Sequence, residues 1–598
     1  MISSMGRSIK RNIKDNSKVW AVLCLALLLR IILLNYNLPH VVIQRDEENV
    51  VVRALRMGWG DLNPHWFLYP SLYIYITFAL HGIYYLLGNA WGIFVSAQDF
   101  AEAFFSDPTV FYVLPRALSA VLGTATVWLI YRAVMELYGS RPIAILSALF
   151  LALATSHVRE SHSAKPDAAM IFFMAWAFLY CVRFFRYGIR RDSLFAGFLT
   201  GLAISTKYPA GMMILPLILS HFLRPRVRDQ FQAGTLSLTL LLVGAGFVLG
   251  TPYAVLDWSS FKDWFGWVRG HQEIIWAGQP YPELSGYAYY LIHAWPQSVG
   301  WPLVLCGILG MFSLFRFHLK EACLHLAFPI ATYLFLGKSS RFASNFFTPC
   351  LPFLVVPAAY LVQQLLTALK SRPLIIHILL IASLLAFPIT LASKQIYSFS
   401  MLDTSLLAKF WIQQNVSDGS RIFSLIDAPP LDLSPERIRE ILSKVSDDVD
   451  ITKGFKATYT GRGAYYEYLL RHPRHPSYYY LNLPFPPADI ADYTRGLNSE
   501  IFNNYHYAIV KRSERDSEVP LVTVHRLRTA SERQFLKNLD IFLDLVQARG
   551  QVIQSIDSNT QWTDVEGIRL LLFSIWGRPG STFDIYRLSG VREQSASQ

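Results

Sequence analysis

Cysteine is scarce in this chain: five in 598 residues, and all five (Cys24, Cys181, Cys306, Cys323 and Cys350) fall inside long apolar stretches. None has a metal-ligand spacing and none lies in the last third of the chain, so no zinc framework and no disulfide scaffold is implied. Charge is scarce as well, at 16% of residues against 53% hydrophobic. Also missing are a Walker-type Gly-rich loop, a dinucleotide fingerprint and a nucleophile elbow, which argues against a nucleotide donor. No internal repeat of fixed period and no low-complexity tract is found, which removes solenoid and array architectures.

What is present is a series of apolar runs about 17–25 residues long, the length a helix needs to cross a bilayer. The runs stop near Ser393, and the remaining third has ordinary globular composition. The expected division is therefore 1–394, a membrane domain, and 395–598, a second module large enough to bury its own core. The formal charge of +12 does not point to nucleic acid. The basic residues cluster in short segments between apolar runs, such as Arg183/Arg186/Arg190/Arg191, which is the pattern of membrane topology.

Eleven candidate spans are read, at 19–36, 111–134, 142–157, 168–185, 193–206, 209–223, 234–252, 290–315, 322–337, 343–367 and 373–392. The first, Val19 to Tyr36, lacks a small-residue cleavage site and is longer than a signal core, so it is expected to stay as an anchor. The stretch Tyr69 to Gly88 is apolar but rich in tyrosine. Were it to cross, every arginine-rich loop would move outside, against the positive-inside bias, so it is read as a helix lying along the outer surface. The same parity places the N-terminus in the cytoplasm and puts 37–110, 158–167, 253–289, 338–342 and the C-terminal module on the other side. The expected location is a multi-pass protein of the plasma (inner) membrane. Within the C-terminal module, helical patterns at 403–414, 434–444 and 532–548 alternate with strand-like runs at 478–481, 507–510 and 583–586, which predicts a small α/β domain.

The candidate chemistry lies in the external segments. Asp46, Glu47 and Glu48 begin about eight residues past the first span, at the water boundary, and an ionised carboxylate there can deprotonate an acceptor hydroxyl within hydrogen-bond reach. The bland alternative is an exposed acidic loop. The second external loop packs Arg159, Glu160, His162, Lys165 and Asp167 into nine residues. Asp167 follows a proline and reads either as a helix N-cap or as a carboxylate that orients a sugar, binds a metal with Asp46, or holds Lys165. Lys207, beside Tyr208 and Pro209, and Arg341, in a five-residue loop, read either as phosphate ligands or as cations that reach up to head groups. His271 is an isolated loop histidine, the weakest of the set.

These residues carry a resemblance. Asp46-Glu47 with Arg53-Ala54-Leu55, Gly60-Asp61-Leu62-Asn63-Pro64-His65, Tyr69-Pro70-Ser71 and Pro115-Arg116-Ala117-Leu118-Ser119-Ala120 stand in one order. Ser161-His162 with Pro166-Asp167, Thr206-Lys207-Tyr208, Gly250-Thr251-Pro252-Tyr253, Arg341-Phe342 and a terminal stretch from Gly580 to Leu588 follow. In that order the chain resembles the GT-C glycosyltransferases, specifically prokaryotic relatives of the dolichyl-phosphate-mannose protein mannosyltransferases and of the aminoarabinose lipid A transferases. The resemblance implies an α-helical polytopic membrane protein of about eleven transmembrane helices plus interfacial helices. It implies inverting transfer of a sugar from a polyprenyl-phosphate donor to a protein, lipid or glycan acceptor on the outer face, with the first-loop Asp as base.

On that reading Asp46, Glu47 and Asp167 form the catalytic set. Lys165, Lys207, Arg341 and Tyr69 form the phosphate-binding set, and Glu48, His65, His162, His271 and Arg116 are secondary candidates. Two departures matter: lipid A transferases carry a lysine where this chain has Tyr69, and many relatives have another residue, such as Pro, at Glu48. The paired carboxylates Asp46 and Asp167 suit Mg²⁺ or Mn²⁺ and equally suit a metal-free base with an orienting partner. A transporter or flippase of lipid-linked sugars is the first rival, and a scaffold acting through its C-terminal module the second. A transporter would prefer ionisable residues at mid-bilayer, of which the spans hold few.

Overall fold

A computed structural model describes residues 2–40, 45–224, 233–271, 284–339, 342–425, 429–447, 465–483, 504–512, 546, 550–556 and 582–588. The chain is mostly helical over these residues. Helix α1 is Ile2–Ile31, α2 Arg45–Met57, α3 Leu72–Ala90, α4 Ala97–Ser106, α5 Thr109–Tyr138, α6 Arg141–Leu153, α7 Thr155–Glu160, α8 Pro166–Tyr187 and α9 Arg190–Ile204. Further long helices run over Ala233–Gly250, Trp301–Phe317, Leu319–Gly337, Leu351–Ala368 and Leu374–Ser400.

Among the described residues, six helices are long and apolar enough to cross a membrane, or up to seven if a bent pair counts as one. The stretches 142–157 and 209–223, read above as spans, are helical but too short to qualify, as Arg141–Leu153 and Tyr208–Phe222. The stretch 290–315, read as one span, is two helices meeting at 117°. The break is at Gly300, whose φ of +83° is a conformation open to glycine and strained for other residues. Phe387 of the helix Leu374–Ser400 fills the space where a Cβ on Gly300 would stand, 2.6 Å away, so the bend is also a packing site.

The bundle core is built from α5, α6, α8 and the helices Trp301–Phe317 and Leu351–Ala368, with Val127, Ile130, Phe150, Met174, Phe178 and Phe353 in one cluster. On top of it sits α2. Val50, Ala54 and Met57, spaced for one helical face, pack on Trp66, Tyr73 and Ile74, while Val51 faces Phe111, Tyr112 and Ala164. The helix is therefore wedged between α3, the start of α5 and the segment before α8, which is what fixes the acidic first turn described below.

Beyond residue 403, helices Thr404–Asn415 and Pro435–Asp447 pack with a five-stranded sheet. The strands are β1 Arg421–Leu425, β2 Tyr479–Leu483, β3 Tyr507–Arg512, β4 Gly550–Ile556 and β5 Thr582–Leu588, in the order β2-β1-β3-β5-β4. β1 pairs parallel with β2 and β3, and β5 antiparallel with β3 and β4, with a bulge between Val552 and Gln554. The three strand-like runs named above lie in β2, β3 and β5, and the helical pattern at 532–548 falls outside the described residues except Val546. Asp403 accepts the Ser405 N–H and starts the first of these helices. Arg474 donates to the Phe105 carbonyl at 3.1 Å, and the Phe105 ring lies 5.6 Å from those of Tyr465 and Tyr468, so this module rests on α4.

Candidate active site

Asp46, Glu47 and Glu48 occupy the first turn of α2, where the helix dipole and unpaired N–H groups favour negative charge. Consecutive residues point in different directions around the helix, so the three acids have three fates. Asp46 is exposed. Glu47 is fully buried, with Arg116 donating from Nε to Oε1 at 3.0 Å and from Nη2 to Oε2 at 2.6 Å, and with the Ala164 N–H donating to Oε1 at 2.7 Å. Glu48 is half-buried beside Tyr112.

Both oxygens of Glu47 are thus taken. Arg116 is equally committed, since it also donates to the carbonyls of Leu34 and Tyr36 at 2.7 and 3.0 Å and lies over the Tyr36 ring. The pair ties the end of α1, the first turn of α2, the start of α5 and the second loop together. Glu47, read above in the catalytic set, and Arg116, a secondary candidate, are thus both struts, held by burial and saturated hydrogen bonding.

The second loop supplies the next group. Glu160, buried at the end of α7, is paired with Lys165 at 2.8 Å and with Arg159 at 3.2 Å. Burial alone would raise its pKa, but the two cations outweigh it and hold the carboxyl below the ordinary range, at about 2. For Lys165, burial would lower the pKa, and Glu160, Asp167 and Asp46 together raise it instead. The ammonium therefore stays charged.

Asp167 sits in the first turn of α8, yet the N-cap position belongs to Lys165 and no side chain caps the helix. The capping reading of Asp167 is corrected accordingly. Its carboxylate instead accepts from Lys207 at 2.7 Å, both groups being largely buried. The Lys207 ammonium lies 5.1 Å from the Tyr69 ring, an arrangement the ring's negative face favours. Burial works against its charge, and Asp167 and then Tyr69 outweigh it and raise the pKa. Tyr69 is held from the other side by Trp66, 5.2 Å between ring centres. Burial, aided by Asp46 and Asp167 and opposed by Lys207, lifts the phenol to about 12, so it remains a neutral donor and acceptor.

Lys165 and Tyr69 each feel both Asp46 and Asp167, so carboxylates from two loops more than a hundred residues apart in chain order act on one cluster. Beside it opens a cavity of ≈340 Å³ whose wall includes Asn37, Arg159, Lys165, Asn345, Gln395 and Asp403. The candidate site is therefore the cluster of Asp46, Lys165, Asp167, Lys207 and Tyr69, which reaches the polar cavity through Lys165.

Other expected residues lie elsewhere. His65 pairs with Asp61 at 2.8 Å, and Asn63 donates to Asp257 at 2.8 Å, which fastens the segment between α2 and α3 to the segment before the helix Trp258–His271. His162 is buried with Nδ1 and Nε2 against the carbonyls of Val158 and Ile32, a packing role. Arg341 and the side chain of His271 lie outside the described residues. No group of three or more His, Cys, Asp or Glu side chains among the described residues is disposed to hold a metal ion, and the Asp167 carboxylate is already engaged by Lys207, so this donor set does not fit one.

Sequence reasoning passed over Glu160 and Arg159 as site residues. The signal was an acid five residues before a lysine in a loop squeezed between two apolar runs, where neither charge could be buried alone. It also passed over Arg30, buried in α1, which donates to the carbonyls of Ala26, Leu151 and Ala152 and meets His157 Nδ1 at 2.9 Å.

A family model described as dolichyl-phosphate-mannose-protein mannosyltransferase matches residues 111–250. Dolichyl-phosphate-mannose–protein mannosyltransferase 4 of Saccharomyces cerevisiae is 33% identical over 106 residues, which is 16% of this chain and 14% of that protein. The alignment thus spans far less than two thirds of that relative. Among solved structures, ArnT from Cupriavidus metallidurans, in the apo state and bound to undecaprenyl phosphate, aligns at a TM-score of 0.48 and 12% identity over 97% of this chain and 100% of the other. Archaeal oligosaccharyltransferase AglB from Archaeoglobus fulgidus, in complex with an inhibitory peptide and a dolichol-phosphate, aligns at 0.45 and 12% over 83% of this chain and 70% of the other. The segment 111–250, which holds Arg116, Glu160, Lys165, Asp167 and Lys207, is thus the part of the chain that is similar to the dolichyl-phosphate-mannose-protein mannosyltransferases.

Proposed function

We propose that this protein transfers a sugar from a polyprenyl-phosphate donor to an acceptor hydroxyl, at the end of the bundle where α2 lies, with inversion at the anomeric carbon. The observation that carries the reading is an exposed carboxylate, Asp46, that acts on Lys165 and Tyr69, in a cluster where Asp167 pairs with a second largely buried lysine, Lys207. Asp46 takes the acceptor proton as the acceptor oxygen bonds to the anomeric carbon, and the carbon–oxygen bond to phosphate breaks with its electron pair leaving on phosphate. Charge develops on that leaving phosphate, so fixed cations beside it lower the barrier more than they stabilise the ground state.

Lys165 and Lys207 are those cations, with Arg341 added from sequence alone. Their own partners, Glu160 and Asp167, hold the ammonium groups in place without a cost in rotamer search at the moment of reaction. Tyr69 offers a neutral hydroxyl beside Lys207. Glu47 acts at one remove, by fixing the α2 turn that presents Asp46.

The fold is read with about eleven transmembrane segments, α3 along the membrane surface, the N-terminus cytoplasmic, and the α/β module at 395–598 outside. The acceptor is a protein, lipid or glycan of the cell envelope. Support comes from the family that residues 111–250 match, from the placement of basic residues between apolar runs, and from the cluster itself. The test is purified protein in vesicles with a radiolabelled polyprenyl-phosphate sugar. Transfer of label to an acceptor supports the reading, whereas movement of the donor between leaflets with no new bond replaces it with the flippase alternative.

A further inference from the structure

At the far end of the bundle from Asp46, a cavity of ≈450 Å³ opens between α1 and α5, lined by Val19, Trp20, Leu23, Trp128, Tyr131, Arg132, Met135 and Glu136. Its size falls within the range of small-molecule sites, about 300–1,000 Å³. Arg116 and Arg132 both lie on α5. Their separation in sequence corresponds to about 24 Å along the helix at about 1.5 Å per residue, most of the way across a hydrocarbon core about 30 Å thick. The cavity therefore lies near the head-group level of the opposite leaflet.

Its lining has two parts. Val19, Leu23 and Met135 are apolar, and Leu23 and Trp128, one turn from Val19 and Arg132 along α1 and α5, lie on the side of the bilayer centre. Trp20 and Trp128 are 63% and 40% exposed, large aromatic surfaces turned outward at a depth where indole rings settle between hydrocarbon and water. Between them stand one cation and one anion. The Arg132 guanidinium lies 5.6 Å from the Trp128 ring, and its Nη2 is 3.9 Å from Glu136 Oε1, too far for a hydrogen bond. The other Glu136 oxygen accepts from the Tyr187 hydroxyl at 2.6 Å, and Arg186 donates to the Glu136 carbonyl at 3.1 Å, so the carboxylate is held from behind. A loosely paired cation and anion facing a wet apolar slot match a ligand that carries both charges.

We propose that this cavity binds one phospholipid of the opposite leaflet whose head group bears a phosphate and a primary ammonium. The phosphate lies on Arg132, the ammonium donates to Glu136 Oε1, and the chains follow Leu23 and Trp128 toward the bilayer centre. Phosphatidylglycerol would offer Glu136 a neutral hydroxyl in place of a counter-charge. A quaternary ammonium has no proton to donate to it.

The test uses the full-length protein, purified in mild detergent and stripped of lipid, then given synthetic phosphatidylethanolamine, phosphatidylglycerol or phosphatidylcholine, with retained lipid read by native mass spectrometry. Phosphatidylethanolamine should be retained over both others. Arg132→Gln should weaken its retention about ten-fold, the loss of one charge-assisted contact. Glu136→Gln should remove the preference for phosphatidylethanolamine over phosphatidylglycerol, and Arg132→Lys should keep it. Trp20→Ala, at an exposed position that folding does not need, should weaken retention if Arg132→Gln fails to fold. Equal retention of the three lipids, a preference for phosphatidylcholine, or retention unchanged in Arg132→Gln and Glu136→Gln would overturn the proposal in favour of ordinary annular lipid.

Discussion

Glu47 and Arg116 face each other in parallel, two N–H groups on two carboxylate oxygens, with the Ala164 N–H adding a third bond. The pair joins two helices and a loop that are far apart in sequence, and it does so one residue from Asp46. An ion pair of this kind resists loss of one partner more than it stabilises by its presence.

Glu47→Ala and Arg116→Ala should each destabilise the protein by about 3–5 kcal/mol, because each leaves a buried charge unpaired. The double variant should lose less than the sum of the two, since no lone charge remains. Thermal unfolding in detergent measures all three, and simple additivity would show that the two side chains do not act as a pair.

Lys207 is expected to act on the departing phosphate, with Asp167 as its anchor. Lys207→Gln should lower kcat about 10²–10³-fold, the usual effect of losing one donor at a site of developing charge, with KM changed much less. Adding Asp167→Asn to it should cost little more. A rise in KM at constant kcat would instead make Lys207 a ground-state ligand.

The Glu160–Lys165 pair predicts the pH profile of stability. Glu160 is depressed in the folded state, so its contribution is present above the ordinary carboxyl value of 4.5 and is lost as pH falls from there toward about 2. Lys165 and Lys207 are raised, so theirs is present below 10.5 and is lost only as pH climbs beyond that value. Melting temperature followed against pH should fall on the acid side of 4.5, and Glu160→Gln should flatten that limb. An unchanged acid limb in Glu160→Gln would show that the carboxyl titrates normally.

The proposed topology can be read by labelling. A cysteine at Ala97, exposed at the start of α4, should react with a membrane-impermeant maleimide in intact cells, and one at Arg190, exposed at the start of α9, only after permeabilisation. The reverse pattern would invert the orientation and move Asp46 to the cytoplasmic side.

Much of the helical framework was legible because its signal is additive over many residues: the runs 111–134, 168–185, 322–337 and 373–392 each lie on one long helix, and length and hydropathy decide that largely without tertiary context. Gly300 was not legible as a sharp bend, because a single glycine between Trp-Pro pairs fits a continuous apolar run equally well until Phe387 is seen to occupy its missing side chain. At the site, the residue types were readable and the pairings were not. Asp46 and Glu47 are adjacent acids in sequence, and only the rotation of about 100° per residue along α2 sends one to solvent and the other into Arg116. The pairing of Lys207 with Asp167 depends on how α8 and α9 pack, which no local pattern carries, whereas Lys165 and Glu160 stand five residues apart in one loop.

The most direct test is Asp46→Asn, an exposed and nearly isosteric change that folding should tolerate, in membranes supplied with a polyprenyl-phosphate sugar and acceptor. Sugar transfer should fall by about 10²–10⁴-fold, the contribution of a positioned base, while donor binding and melting temperature stay at the unaltered protein's values. Turnover retained at the original rate in correctly folded Asp46→Asn would contradict the account.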